Sequence, residues 1–244
     1  MKTLKNYVLG IIANHSVINF VDVFLASMRD NCIEYDCLCF GDAGFLLEDK
    51  KRIENYGLRV IFVDMPEKFT CENIVTQDKI YRRIISSRIW FLQEVHALGN
   101  NRVVSLDADT AIISNDFSLL DMDSDLTLTV RDAGPGLHVL PIRESDYPNC
   151  GVVFYHDIEN CLPFFQRWMW CQESMQQHPL TFEQWYFYKA MQYDEFSFLD
   201  VQKIHCRFYN CYEPNWINDS TSIIHFKSHQ QRYDFKSRVS RFRI

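Results

Sequence analysis

Apolar and polar positions in the first hundred residues alternate between two periods. Residues 7–13 form an apolar run short enough for a buried strand. Residues 17–28 follow with Val17, Phe20, Val21, Phe24, Leu25 and Met28 at the spacing of one helical stripe. A second strand is predicted over 36–40, closed by Gly41-Asp42-Ala43-Gly44. A charged helix is predicted over 46–56 and stops at Gly57, since glycine adopts the left-handed backbone that ends helices. A third strand spans 59–63. A long helix over 76–97 places Ile80, Ile84, Ile85, Ile89, Leu92 and Val95 toward the body and carries Arg82, Arg83, Ser87 and Arg88 on its other side. This β-α-β-α-β order predicts a parallel sheet with right-handed crossovers.

The next run, residues 102–113, is apolar except for two carboxylates in its middle, in the order Val103-Val104-Ser105-Leu106-Asp107-Ala108-Asp109-Thr110. Nearly continuous apolar sequence marks a strand buried on both faces. Asp107 and Asp109 then fall at or just past its carboxyl end, the edge where open α/β sheets bind ligands. Two carboxylates that close repel unless a cation lies between them, and a divalent metal resolves the conflict. The same residues also suit a turn and a cap on the next element, because aspartate serves in both places. From the residues alone, both readings stand.

Beyond Asn115 the pattern turns β-rich. Residues 126–130 alternate, 131–136 read as a loop, and 151–155 as a strand with Asn149-Cys150-Gly151 at its start. An aromatic-rich helix is predicted over 162–174 and another over 183–191, with late strands over 196–199 and 223–226. There is no internal repeat and no low-complexity linker. The expectation is one domain over 1–244, with a nucleotide-binding half to 115, an acceptor or sugar half over 116–226, and a tail from 227.

Composition narrows the function classes. A net charge of −7 argues against a general nucleic-acid binder, yet residues 227–244 hold six basic residues against one acidic, interleaved with Tyr233, Phe235, Val239, Phe242 and Ile244. Such a tail suits an anionic acceptor or peripheral contact with an anionic membrane, and equally a solvated extension or a helix packed on the body. No run is long and apolar enough to span a bilayer or to read as an export signal. The nine scattered cysteines then fit reduced thiols in a cytoplasmic location.

In order and spacing, the motifs resemble those of a GT-A glycosyltransferase, most closely the family 8 type. The resemblance runs from the first strand to His225. Its most specific piece is V-V-S-L-D-A-D-T, similar to the metal-binding D-x-D strand of that family. Ser86-Ser87-Arg88, N-C-G-V-V-F-Y from Asn149, Glu183-Gln184 and I-I-H-F-K from Ile223 support it. It implies an α/β fold of GT-A type, Rossmann-like, with a mostly parallel central sheet flanked by helices. It also implies a UDP-linked or other nucleotide diphosphate sugar as donor, Mn2+ or Mg2+ as cofactor, and a glycan or glycolipid acceptor.

By the same resemblance, Asp107, Asp109 and His225 hold the metal. Ile12, Ala13, Asn14 and His15 hold base and ribose, and Arg88 and Lys227 meet the nucleotide or diphosphate. Asn149 and Gly151 lie beside the sugar, and Asp132, Glu183 and Gln184 serve the reacting centre. Cysteine in N-C-G and glutamate in E-Q depart from the usual N-[S/A]-G and D-Q, and the second departure leaves the stereochemistry open. Judged apart from the resemblance, His225 is also a plain core histidine and Arg88 a solvated helix arginine.

Three rival readings stand beside this one. Haloacid-dehalogenase phosphatases also end a strand in D-x-D-T, using the first aspartate as nucleophile. That motif opens its domain and sets threonine four residues after the first aspartate, whereas here three α/β units precede Asp107 and Ala111 stands at that point. The others are a nucleotide-sugar-binding protein without turnover, and a transferase acting on modified DNA through the basic tail.

Overall fold

The computed structural model describes residues 2–66, 77–131, 147–174, 183–193 and 198–226; for 77–86, 131, 183 and 214 it describes the backbone alone. Seven strands form the central sheet: β1 (Leu4–Ala13), β2 (Tyr35–Asp42), β3 (Val60–Asp64), β4 (Val103–Leu106), β6 (Leu126–Arg131), β7 (Tyr147–Tyr155) and β8 (Val201–His205). A two-stranded sheet joins β5 (Thr110–Ile112) to β9 (Ile223–His225). The helices are α1 (Ile18–Asp30), α2 (Leu47–Glu54), α3 (Gln77–Ala97), α4 (Ile158–Ser174), α5 (Glu183–Met191) and the short α6 (Cys206–Tyr209).

The order across the large sheet is β3-β2-β1-β4-β7-β6-β8, and all its pairings are parallel except those of β7 with β4 and β6. A mostly parallel sheet needs cover on both faces. Side chains alternate accordingly. Val103 packs with Ile89, Leu92 and Val95 of α3 and with α4 and α5, whereas Val104 and Leu106 pack on the opposite face with Val21, Phe24 and Leu25 of α1. This two-sided burial is why the strands read as continuous apolar runs.

Element positions follow the hydrophobic pattern closely through β4. Gly57 and Gly99, with φ of +70° and +88°, stand just past α2 and α3 as helix-ending residues should. Three differences concern the second half. The apolar run 102–113 is two strands of different sheets, broken at Asp107-Ala108-Asp109. β7 begins at Tyr147, so Asn149-Cys150-Gly151 lies within the strand and not at its start. The strand expected over 196–199 falls partly outside the described residues. Phe198 and Leu199 form a turn, and the strand is instead β8, at the sheet edge.

Candidate metal and donor site

β1 and β4 are in register through Ile11 and Leu106, so Ile12, Ala13 and Asp107 emerge at the same carboxyl rim. Two hydrogen-bond ladders then hold the acidic pair. The Asp107 N–H donates to the Gly151 carbonyl at 2.8 Å, tying the first aspartate to β7. The Asp109 carbonyl accepts from the Phe226 N–H at 2.8 Å, tying the second to the end of β9. Thr110 pairs with His225 across the small sheet. Chain positions 107 and 225 thereby meet through backbone pairing alone.

The His225 Nε2 lies 3.5 Å from Asp107 Oδ2 and 3.2 Å from Asp109 Oδ1. One ligand atom from each of these three residues lies within 4.8 Å of the others. Both carboxylates are about one-third exposed, while His225 is buried. A histidine nitrogen facing two carboxylate oxygens is stable only with a positive charge among them. Two hard oxygens and an imidazole suit a divalent ion such as Mn2+.

Backbone shape leaves room for this cluster. A Cβ placed on Gly151 would lie 2.4 Å from His225 Cε1 and 2.9 Å from Asp107 Oδ2, closer than side chains tolerate. The glycine of N-C-G accommodates His225 and Asp107.

Arg88 is neither solvated nor directed only at a ligand. It is buried, and donates from one guanidinium nitrogen to the Cys150 carbonyl at 2.5 Å and from the other to Asp107 Oδ1 at 2.6 Å. Its charge holds one oxygen of Asp107 and leaves the other facing His225. Asn149, also buried, accepts at Oδ1 from the Gln184 side chain and from the Gly151 N–H, each at 3.3 Å. Its Nδ2 has no partner among the described residues. Asn149, Gly151, Gln184, Arg88, Asp107, Asp109 and His225 therefore form one connected region.

At the β1 end of the rim, Asn14 caps a 3-10 turn by accepting from the Ser16 N–H at 3.1 Å. His15 is paired through Nδ1 with the buried Asp49 at 2.9 Å. The Ala43 N–H donates to the Ala13 carbonyl at 2.9 Å, so the loops after β1 and β2 are knitted together. Asp132, Lys227 and the tail 227–244 lie outside the described residues, as do the side chains of Glu183, Arg82 and Arg83.

Sequence reasoning passed over Asn210 and Thr129. The His225 Nδ1–H donates to Asn210 Oδ1 at 2.8 Å, and Asn210 Nδ2 donates to Thr129 Oγ1 at 2.8 Å and to the Asn149 carbonyl at 3.2 Å. The signal available was a lone amide inside the apolar run Phe208-Tyr209-Asn210-Cys211. The cysteines among the described residues are free thiols, and burial pushes Cys39 up to about 12, which leaves it without nucleophilic character.

No protein-family model matches the chain, and no curated protein matches it in sequence. Solved structures do match it in shape. A glycosyltransferase involved in glycosylation of the major capsid of PBCV-1 is similar with a TM-score of 0.58 at 13% identity, covering 96% of this chain and 99% of its own. The galactosyltransferase LgtC, in complex with donor and acceptor sugar analogs, is similar at 0.54 and 15% identity, covering 91% and 87%. Mouse xyloside xylosyltransferase 1 is similar at 0.57 and 14% identity, covering 91% and 97%. The shared feature is the fold, which is that of GT-A glycosyltransferases.

Proposed function

We propose that this chain is a metal-dependent glycosyltransferase that moves a sugar from a nucleotide diphosphate sugar, UDP-linked, to a glycan or glycolipid acceptor. The observation that carries the reading is the convergence of Asp107, Asp109 and His225 at the carboxyl rim of a GT-A sheet. These three would hold the ion, and Mn2+ or Mg2+ bound there supplies a positive charge for the departing diphosphate. Ile12, Ala13, Asn14 and His15, on the same rim, are assigned to base and ribose.

Asn149 Nδ2, buried without a described partner, is assigned to a donor-sugar hydroxyl, which would relieve a costly unsatisfied group. Gln184 positions Asn149 and lies beside the sugar. Glu183 and Asp132 are the carboxylates assigned to accept the proton from the acceptor hydroxyl. Lys227 would meet the diphosphate as a point charge. The basic aromatic segment 227–244 is assigned to an anionic acceptor or membrane surface; no described helix is long and apolar enough to cross a membrane.

The test is a thermal-shift screen of UDP-, GDP-, ADP- and CMP-linked sugars with and without Mn2+. A ligand at one hundred times its Kd stabilises by about 2.7 kcal/mol. The expected result is a shift for a UDP-sugar that needs Mn2+. No shift with any nucleotide sugar in the presence of metal, together with rapid phosphate release from a generic phosphate ester, defeats the proposal.

A further inference from the structure

His225 offers Nε2 to the acidic pair only if its single ring proton sits on Nδ1, and the surrounding residues determine where that proton is held. Asn210 is fully buried on the residue that follows α6. Its amide faces two different partners. On one side stand Thr129 Oγ1 and the Asn149 carbonyl, and a carbonyl can only accept. The NH2 group must therefore point that way. The remaining atom, Oδ1, is an acceptor and faces His225 Nδ1 at 2.8 Å. The ring thus carries a proton on Nδ1, and Nε2 is the nitrogen left facing Asp107 and Asp109 for a cation to meet.

We infer that Asn210 is the positioning residue of the metal-binding histidine. It fixes both the tautomer and the ring plane of His225, and it is itself aimed by Thr129 and by the backbone of Asn149. The inference rests on the metal reading above and deepens it. Outer groups that donate to or accept from a ligating histidine raise its basicity and restrict its rotation; their loss typically lowers metal affinity about 10- to 100-fold. The arrangement also links two parts of the site, because the carbonyl that aims Asn210 belongs to the residue whose side chain receives Gln184.

The experiment has two arms that do not depend on turnover. In the first, Mn2+ affinity is measured by electron paramagnetic resonance without nucleotide. Asn210→Ala is expected to weaken binding roughly 10- to 100-fold, and Asn210→Asp, which retains an acceptor at Nδ1 but sets its second oxygen against the Asn149 carbonyl, to recover only part of that loss. In the second, 15N-imidazole spectra of the metal-free, unsubstituted protein in alkaline buffer report the tautomer directly, so the test survives a variant that fails to fold. The His225 signal is assigned by its loss in His225→Gln.

A proton on Nδ1 supports the inference. Equal Mn2+ affinity in Asn210→Ala and the unsubstituted chain, or a ring whose proton is on Nε2 with none on Nδ1, overturns it while the metal reading stands. Mn2+ binding that Asp109→Asn leaves unchanged overturns the metal reading itself, and the role of Asn210 with it.

Discussion

Two buried histidines lie at opposite rims of the sheet, each served by a threonine of the same strand, and they are wired in opposite senses. At the rim away from the acidic pair, His156 follows β7. Its Nδ1 lies 2.5 Å from the Tyr7 hydroxyl and its Nε2 lies 2.8 Å from Thr127 Oγ1. The Gln202 Oε1 accepts from the Asp121 N–H and from Thr127, so Thr127 has its lone pairs left for the imidazole N–H. Burial keeps His156 neutral, so its one ring proton is on Nε2 and Nδ1 accepts from the Tyr7 hydroxyl, with both nitrogens used by uncharged hydroxyls. At the other rim, Thr129 supports Asn210, Asn210 Oδ1 accepts from the Nδ1–H of His225, and Nε2 faces two carboxylates. A histidine whose two nitrogens are satisfied is part of the core. A histidine with one nitrogen satisfied and the other turned to like acceptors is prepared for a cation.

The largest expected effect comes from breaking the carboxylate side. Asp109→Asn should lower the proposed sugar transfer by roughly 10²- to 10³-fold, the scale seen when one preorganised electrostatic contact to developing charge is removed. It should also abolish stabilisation by Mn2+, while metal-free stability stays level or rises slightly because two like charges no longer face each other. Nucleotide release from donor sugar and melting with and without Mn2+ measure both. Mutating His156 should do the reverse and lower stability at unchanged Mn2+ affinity.

The core side is sharpened by pH. Burial is the largest cause that depresses His156, from 6.5 to about 4, with the nearby Arg102 charge adding to it. As acid is added, the unfolded chain takes up a proton near pH 6.5 and the folded chain does not until about pH 4. Stability from this group is therefore complete above pH 6.5 and lost as pH falls toward 4, a total of about 3 kcal/mol. The check is the urea midpoint from pH 7.5 to 4.5 in the unsubstituted chain and in His156→Gln, where the difference in slope isolates this residue. Equal slopes would remove the distinction between the two histidines.

How much of this was readable in advance depended on whether a residue's partner lies on its own element. The strands and helices through β4 declare themselves by period, because each buries a face against near neighbours. The D-x-D position was readable for the same reason: the apolar run stops at Leu106. β8 was missed because Val201-Gln202-Lys203-Ile204-His205 is an edge strand with little apolar content, and edge strands are not buried on both faces. The alternation Leu126-Thr127-Leu128-Thr129-Val130 reads as one dry face and one wet face. Both threonines are fully buried, since β6 lies between β7 and β8 and has cover on both sides. Their polarity marks internal hydrogen bonds and not solvent. Asn210 was hidden because its meaning comes from Thr129, Asn149 and His225, each remote in the chain.

The smallest expected effect returns to the ligand side and tests whether space, as well as charge, separates the two histidines. Gly151→Ala places a methyl group 2.4 Å from His225 Cε1 and 2.6 Å from its Nδ1. His225 cannot swing freely away, because Nδ1 is held by Asn210 and the backbone by the β5–β9 pairing. The ring must tilt and Nε2 must leave the acidic pair. Overpacking of this kind costs roughly 1–3 kcal/mol in stability, and Mn2+ affinity should fall in parallel. The same substitution leaves His156 untouched at the far end of β7, so the pH dependence of stability between 6.5 and 4 should persist. Loss of Mn2+ affinity with a retained acid slope separates the two sites, whereas a variant that binds Mn2+ as tightly as the unsubstituted chain would show that close packing on Gly151 plays no part in holding the histidine.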